Sequence, residues 1–115
     1  MSLYLGLMSG TSMDGIDAAL LEIEPTGMQL RAALERAWPV PLQQRLRRAA
    51  EDPQHIGLAQ FGQLDTAVAV EFALAAEGLL AAAAVSASAV RAIGSHGQTI
   101  LHQPRGEAQG ESARK

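Results

Sequence analysis

The chain contains no cysteine, which excludes a disulfide framework and any thiolate metal site. That absence fits a reducing, cytoplasmic setting. Aromatic residues are scarce: Tyr4, Trp38, Phe61 and Phe72 are all there are, so a core must be assembled from Leu, Ile, Val and much Ala. Small side chains bury less area, and the gain scales at roughly 25 cal/mol per Å², so modest stability is expected of the chain alone. Positive charge is also lacking. A formal net charge of −3 gives no field that would draw in nucleic acid or an anionic membrane surface. The basic cluster Arg45, Arg47 and Arg48 reads as the solvated face of a helix. The opening MSLYLGLMSG has no basic flank, and its apolar run is too short for a signal peptide.

What is present is the composition of one soluble domain: 115 residues, 48% hydrophobic and 18% charged. The apolar run from Thr66 to Val85 is long enough to raise the question of a membrane span. It carries Glu71 and Glu77 and is nearly half alanine, so insertion would be poor and a buried, Ala-rich helix is expected.

Leu3 to Met8 predicts a buried strand ending in a loop, Ile16 to Glu24 a second strand, and Met28 to Ala37 a third after a turn at Pro25, Thr26 and Gly27. Short connections between the three imply an antiparallel start to a mixed sheet. Pro41 can open a helix over Leu42 to Ala50, having no N–H to leave unsatisfied. A longer helix is predicted from about Ile56 to Ala84, with Leu64, Val68, Phe72, Ala75 and Leu79 on one face. Val90 to Gly94 predicts a short strand leading into Ser95, His96, Gly97, Gln98 and Thr99. The order is that of an α/β fold with two helices. Residues 1–104 read as one folded unit and 105–115 as an irregular tail, a flexible end or a truncation.

The chemistry concentrates in Gly10, Thr11, Ser12, Met13, Asp14, Gly15, Ile16 and Asp17. A phosphate-holding turn needs backbone N–H groups aimed at the ligand, glycines where a side chain would block approach, and hydroxyls as further donors. Two carboxylates beside an anion look wrong, since unit charges ~4 Å apart repel by about 4 kcal/mol at an effective dielectric of 20. No Lys or Arg precedes Arg31. A divalent cation such as Mg²⁺, held by Asp14 between carboxylate and phosphate, resolves the conflict. Asp17, entering the second strand, would orient the loop by accepting backbone N–H bonds. On composition alone the segment reads first as an ordinary polar hairpin turn. It matches neither the P-loop nor the dinucleotide fingerprint. Met8 and Met13 flank the loop and read as packing residues. His55 and His102 belong to no plausible zinc site.

The full string GLMSGTSMDGID, Gly6 to Asp17, resembles the opening signature of the anhydro-N-acetylmuramic acid kinases, and GSHGQTILHQP, Gly94 to Pro104, resembles a second stretch of that family. The resemblance runs over roughly Leu3 to Pro104. It implies the N-terminal part of an actin-like, sugar-kinase ATPase fold, with residues 10–17 under the nucleotide phosphates and ATP and Mg²⁺ as cofactors. It implies phosphorylation of 1,6-anhydro-N-acetylmuramic acid with hydrolytic ring opening, giving N-acetylmuramic acid 6-phosphate and ADP in cell-wall sugar recycling. Gln98, Ser95 and Thr99 then bind the anhydro amino sugar, with His96 either on the same ligand or fixing its loop. From the residues alone, the reading that comes first is that His96 and Gln98 satisfy buried backbone groups at a strand end.

Family members are several times longer, and their general base lies downstream of SHGQT, so no catalytic base is assigned in this chain. A homodimer is admissible for the full-length form, and neither nucleic acid nor membrane is an expected partner. Two other readings differ in class: a non-catalytic fragment that at most binds phosphate or nucleotide weakly, and a small interaction module docking through its Ala-rich helix.

Overall fold

Leu5 and Leu7 alternate along one strand, and Ile16, Ala18 and Leu20 along the next. The two-residue period of a pleated strand puts each set on one face, so both strands turn the same side toward a core. The structure, a computed structural model, describes residues 2–10 and 14–98. Strand β1 (Ser2–Ser9) pairs antiparallel with β2 (Gly15–Glu24), setting Leu5 against Leu20 and Leu7 against Ala18. Strand β3 (Gly27–Ala37) continues the meander, antiparallel to β2. Helix α1 (Val40–Glu51), a short 3-10 turn and helix α2 (Leu58–Ala83) follow, and β4 (Val90–Gln98) returns parallel to β1. The sheet order is β3-β2-β1-β4. The expected mixed α/β sheet with an antiparallel three-strand start and two helices is therefore present.

The core is built as expected from small aliphatic residues. Leu42, Leu46 and Ala49 of α1 and Leu64, Phe72, Ala75, Ala76 and Leu79 of α2 close over Leu5, Leu7, Ile16, Ala18 and Leu20. Trp38 joins them, its ring centroid 6.0 Å from that of Phe72. Its indole N–H is buried with no partner among the described residues.

Helix α2 differs from expectation in one respect. By length and composition it could cross a membrane, yet it is not buried all round: one face packs on the sheet while Val70 and Leu74 on the other are exposed, as are Leu58 and Phe61 at its N-terminal end. Glu71 belongs to the packed side, its side chain 12% exposed and accepting a 3.0 Å bond from Arg36 Nε on β3. The charge that argued against insertion thus has a partner in the sheet.

The loose alternation of β3 has a physical cause. Leu20 faces Ala32 and Leu21 faces Leu30, so Arg31 is an extra residue in a bulge. From there its guanidinium donates to Glu22 at 2.7 Å. Beyond the bulge, the pleat directs Ala32 and Leu34 to the core, both packing against it.

Candidate functional site

The two informative motifs lie about eighty residues apart in sequence (β1 ends at residue 9 and Ser95 follows β3, α1 and α2), yet parallel pairing makes them neighbours. Leu7 is opposite Ser95, and Ser9 is opposite Gln98. The carboxyl ends of β1 and β4 therefore emerge side by side, and in open α/β sheets ligands bind beyond such strand ends. The loop that begins at Gly10 leaves from this end, as does the chain after Gln98.

Ser9 closes the mouth of the loop. It is 1% exposed, and its hydroxyl donates to the Gly15 carbonyl oxygen at 2.6 Å, tying the last residue of β1 to the first of β2. Reading the sequence for chemistry passed Ser9 over. The signal available was its place in the alternation Leu5, Leu7, Ser9, which puts a hydroxyl on the core side where it needs a partner.

The glycines divide by role. A Cβ on Gly15 would lie 2.6 Å from the Arg36 carbonyl oxygen of β3, whereas one on Gly10 would have no described atom within 4 Å. Gly15 is required by the approach of β3, independently of any ligand, while Gly10 leaves open space at the strand end.

Asp14 is an exposed residue just before β2. Along the chain nothing positive lies near it, but in space Arg47 of α1 does: its Nη2 is 3.7 Å from Asp14 Oδ1, the side chains being 51% and 73% exposed. The inference that only a bridging cation could offset the loop's carboxylates is thereby corrected, because the fold itself delivers one guanidinium. It also separates Arg47 from Arg45 and Arg48. Those two line a cleft of about 600 Å³ between the end of α1 and the start of α2, with Asp52, His55, Gln60 and Gln63. This cleft shares no residue with the described part of the loop. His55 there pairs with Asp52 at 2.6 Å.

Asp17 stands in β2 opposite Met8 and Glu35. Its side chain is exposed and, among the described residues, accepts no backbone N–H; residues 11–13 of the loop it is expected to orient lie outside the described residues. Met8 is 48% exposed rather than packed. Ile16 is fully buried in the core; its side chain is structural, and only its backbone is available to the loop. Thr11, Ser12 and Met13, and Thr99 with the tail 105–115, lie outside the described residues.

The strand predicted to end at Gly94 runs on to Gln98, because pairing with β1 continues through Ser95 and Gln98. Ser95, His96 and Gln98 are thus strand residues rather than loop residues. Ser95 and His96 are exposed, and His96 forms no side-chain hydrogen bond among the described residues. It does not satisfy a buried backbone group there. Gln98 is placed by its backbone alone.

The described residues contain no group of three or more His, Asp or Glu side chains able to hold a metal by themselves. A cation at Asp14 would complete its shell with phosphate oxygens and water, the ordinary habit of Mg²⁺. What the arrangement offers an anion is open space at Gly10, one carboxylate for a cation, and one guanidinium beside it.

A family model described as anhydro-N-acetylmuramic acid kinase matches residues 2–112. The chain is 47% identical over 108 residues to the protein of that name from Xylella fastidiosa, covering 91% of this chain and 28% of the relative. It is 46% identical over 105 residues to that of Vibrio vulnificus, with the same coverage. To that of Xanthomonas campestris pv. campestris it is 43% identical over 108 residues, covering 91% of the chain and 29% of the relative. The chain thus spans less than a third of the length of these curated relatives.

Proposed function

Because this chain belongs to the anhydro-N-acetylmuramic acid kinase family, we propose that it forms the phosphate-binding segment of an ATP-dependent kinase acting on 1,6-anhydro-N-acetylmuramic acid. The product would be N-acetylmuramic acid 6-phosphate, formed with hydrolytic opening of the anhydro ring in the cytoplasm during cell-wall sugar recycling. The observation that carries this reading is the parallel pairing of β1 with β4, which sets the start of the 10–17 loop beside Ser95 and Gln98.

The residues in place fit a nucleotide phosphate: open space at Gly10, an exposed carboxylate at Asp14, and a positive charge at hand. When bound, ATP supplies the phosphoryl group and Mg²⁺ neutralises its charge. The chain's own contribution is positioning. Backbone N–H groups of Gly10 to Gly15 would hold phosphate oxygens, Thr11 and Ser12 would add hydroxyl donors, and Asp14 would face the cation. Ser95, His96, Gln98 and Thr99 would meet the hydroxyl and amide groups of the sugar.

In a protein of the relatives' full length carrying this chain, ATP, Mg²⁺ and the anhydro sugar should yield ADP and a 6-phosphate. Phosphorylation of an unrelated sugar only would overturn the assignment. Within that protein, Asp14→Asn should slow turnover about 10²–10³-fold, as loss of such an electrostatic contact typically does, and raise the Mg²⁺ concentration required. Superimposable Mg²⁺ titrations with equal maximal rates would show that Asp14 is a turn residue only. Because the chain spans 28% of its relative, a second reading stands beside the first: alone it would bind phosphate weakly and release no sugar-dependent ADP.

A further inference from the structure

We infer that Arg47 belongs to the phosphate site as its binding arginine, a role that rests on the kinase reading above. An anion site whose loop carries Asp14 and Asp17 and has no sequence-local base needs positive charge from elsewhere. The described residues bring one guanidinium to the loop, that of Arg47, 3.7 Å from Asp14. At that distance the two groups attract through charge without a hydrogen bond between them. Both side chains are largely solvent-exposed, so a ligand could reach the pair from solvent.

The arginine is carried by a rigid support. Leu46, the residue before it, is 1% exposed, and Leu42 and Ala49 are also buried, which anchors α1 on the core on either side of Arg47. A side chain borne on a packed helix holds its position better than one on a loop. The planar guanidinium offers several donors and matches phosphate oxygens in a two-pronged fashion that an ammonium cannot. With phosphate present, Asp14 and Arg47 would each meet the ligand, the carboxylate through a cation and the guanidinium directly.

Arg48 serves as an internal control. It is the next residue on the same helix, yet it lines the separate cleft with Asp52 and Gln60. Exchanging it removes the same charge from the same helix without touching the loop.

The test is calorimetric titration of the full-length protein with ADP, with Mg²⁺ and with chelator. Arg47→Gln should weaken ADP binding about tenfold or more in both conditions, the usual worth of a hydrogen bond to a charged group. Arg47→Lys should recover part of the loss, and Arg48→Gln should stay within about twofold of the parent. Matching thermal melts would confirm that the exposed substitutions leave the fold intact. Equal affinities for Arg47→Gln and Arg48→Gln, with the parent binding normally, would overturn the role of Arg47 and leave the kinase reading standing. A parent protein that binds no ADP at all would remove both.

Discussion

Replacing Ser9 with alanine tests whether the loop mouth is held by the hydroxyl that closes it. The Oγ–carbonyl distance of 2.6 Å to Gly15 is that of a well-formed O–H···O bond. Ser9 is buried, so no water can take over when the hydroxyl is removed. Loss of the bond itself costs about 0.5–1.5 kcal/mol, and a carbonyl left short of a partner in a buried place costs about 1–3. Part of the second cost is relieved by local relaxation, so Ser9→Ala should destabilise the chain by about 2 kcal/mol in all. For a domain of this size that corresponds to a fall in Tm of about 10 °C. Urea denaturation followed by circular dichroism should show a lower midpoint with an unchanged slope. The second consequence is local: with the two strand ends untied, ADP affinity of the full-length protein should drop as well. A midpoint indistinguishable from that of the parent would refute the clamp, whatever the effect on nucleotide.

Two further outcomes follow from the packing. Ala84 ends α2 in the left-handed region, with φ 57 and ψ 42, where a Cβ is costly and glycine is the usual cap; Ala84→Gly should raise stability by about 0.5–1 kcal/mol in the same urea assay, and a loss would show that the cap is unstrained. Arg36→Ala removes the partner of Glu71 at 3.0 Å, where the carboxylate is only 12% exposed, and should cost about 1–3 kcal/mol, whereas the double change Arg36→Ala with Glu71→Gln should recover part of that loss.

The parts of the fold that were legible in the sequence are those in which a residue's environment repeats at the period of its own element. Leu5 and Leu7, or Leu64, Phe72 and Leu79, are spaced by the pleat or the helical turn. Burial of the whole set is decided locally and needs only some partner to cover it. The bulge at Arg31 obeys no such period, because it is settled by where β2 must be met by β3. The extension of β4 through Ser95 to Gln98 was hidden for a related reason. SHGQ has the look of a loop, having Gly, polar side chains and no alternation, and it becomes strand only because the end of β1 lies alongside to accept its backbone hydrogen bonds.

The site divides along the same line. Its residue types could be read directly, since Gly, Ser, Thr and Asp in one turn advertise either a phosphate cradle or a hairpin. Its electrostatics could not, because a charge balance taken along the chain counts neighbours in sequence, whereas Coulomb attraction counts neighbours in space. Asp14 and Arg47 are separated by two strands and the first turns of α1, and they meet because Leu42 and Leu46 bury α1 in the same core cluster to which β1 and β2 contribute their leucines. The same hydrophobic pattern that builds the core therefore also carries a guanidinium to the loop. Its delivery follows from apolar residues that do no chemistry, and for that reason a search confined to chemically expressive residues left Arg47 among the solvated arginines.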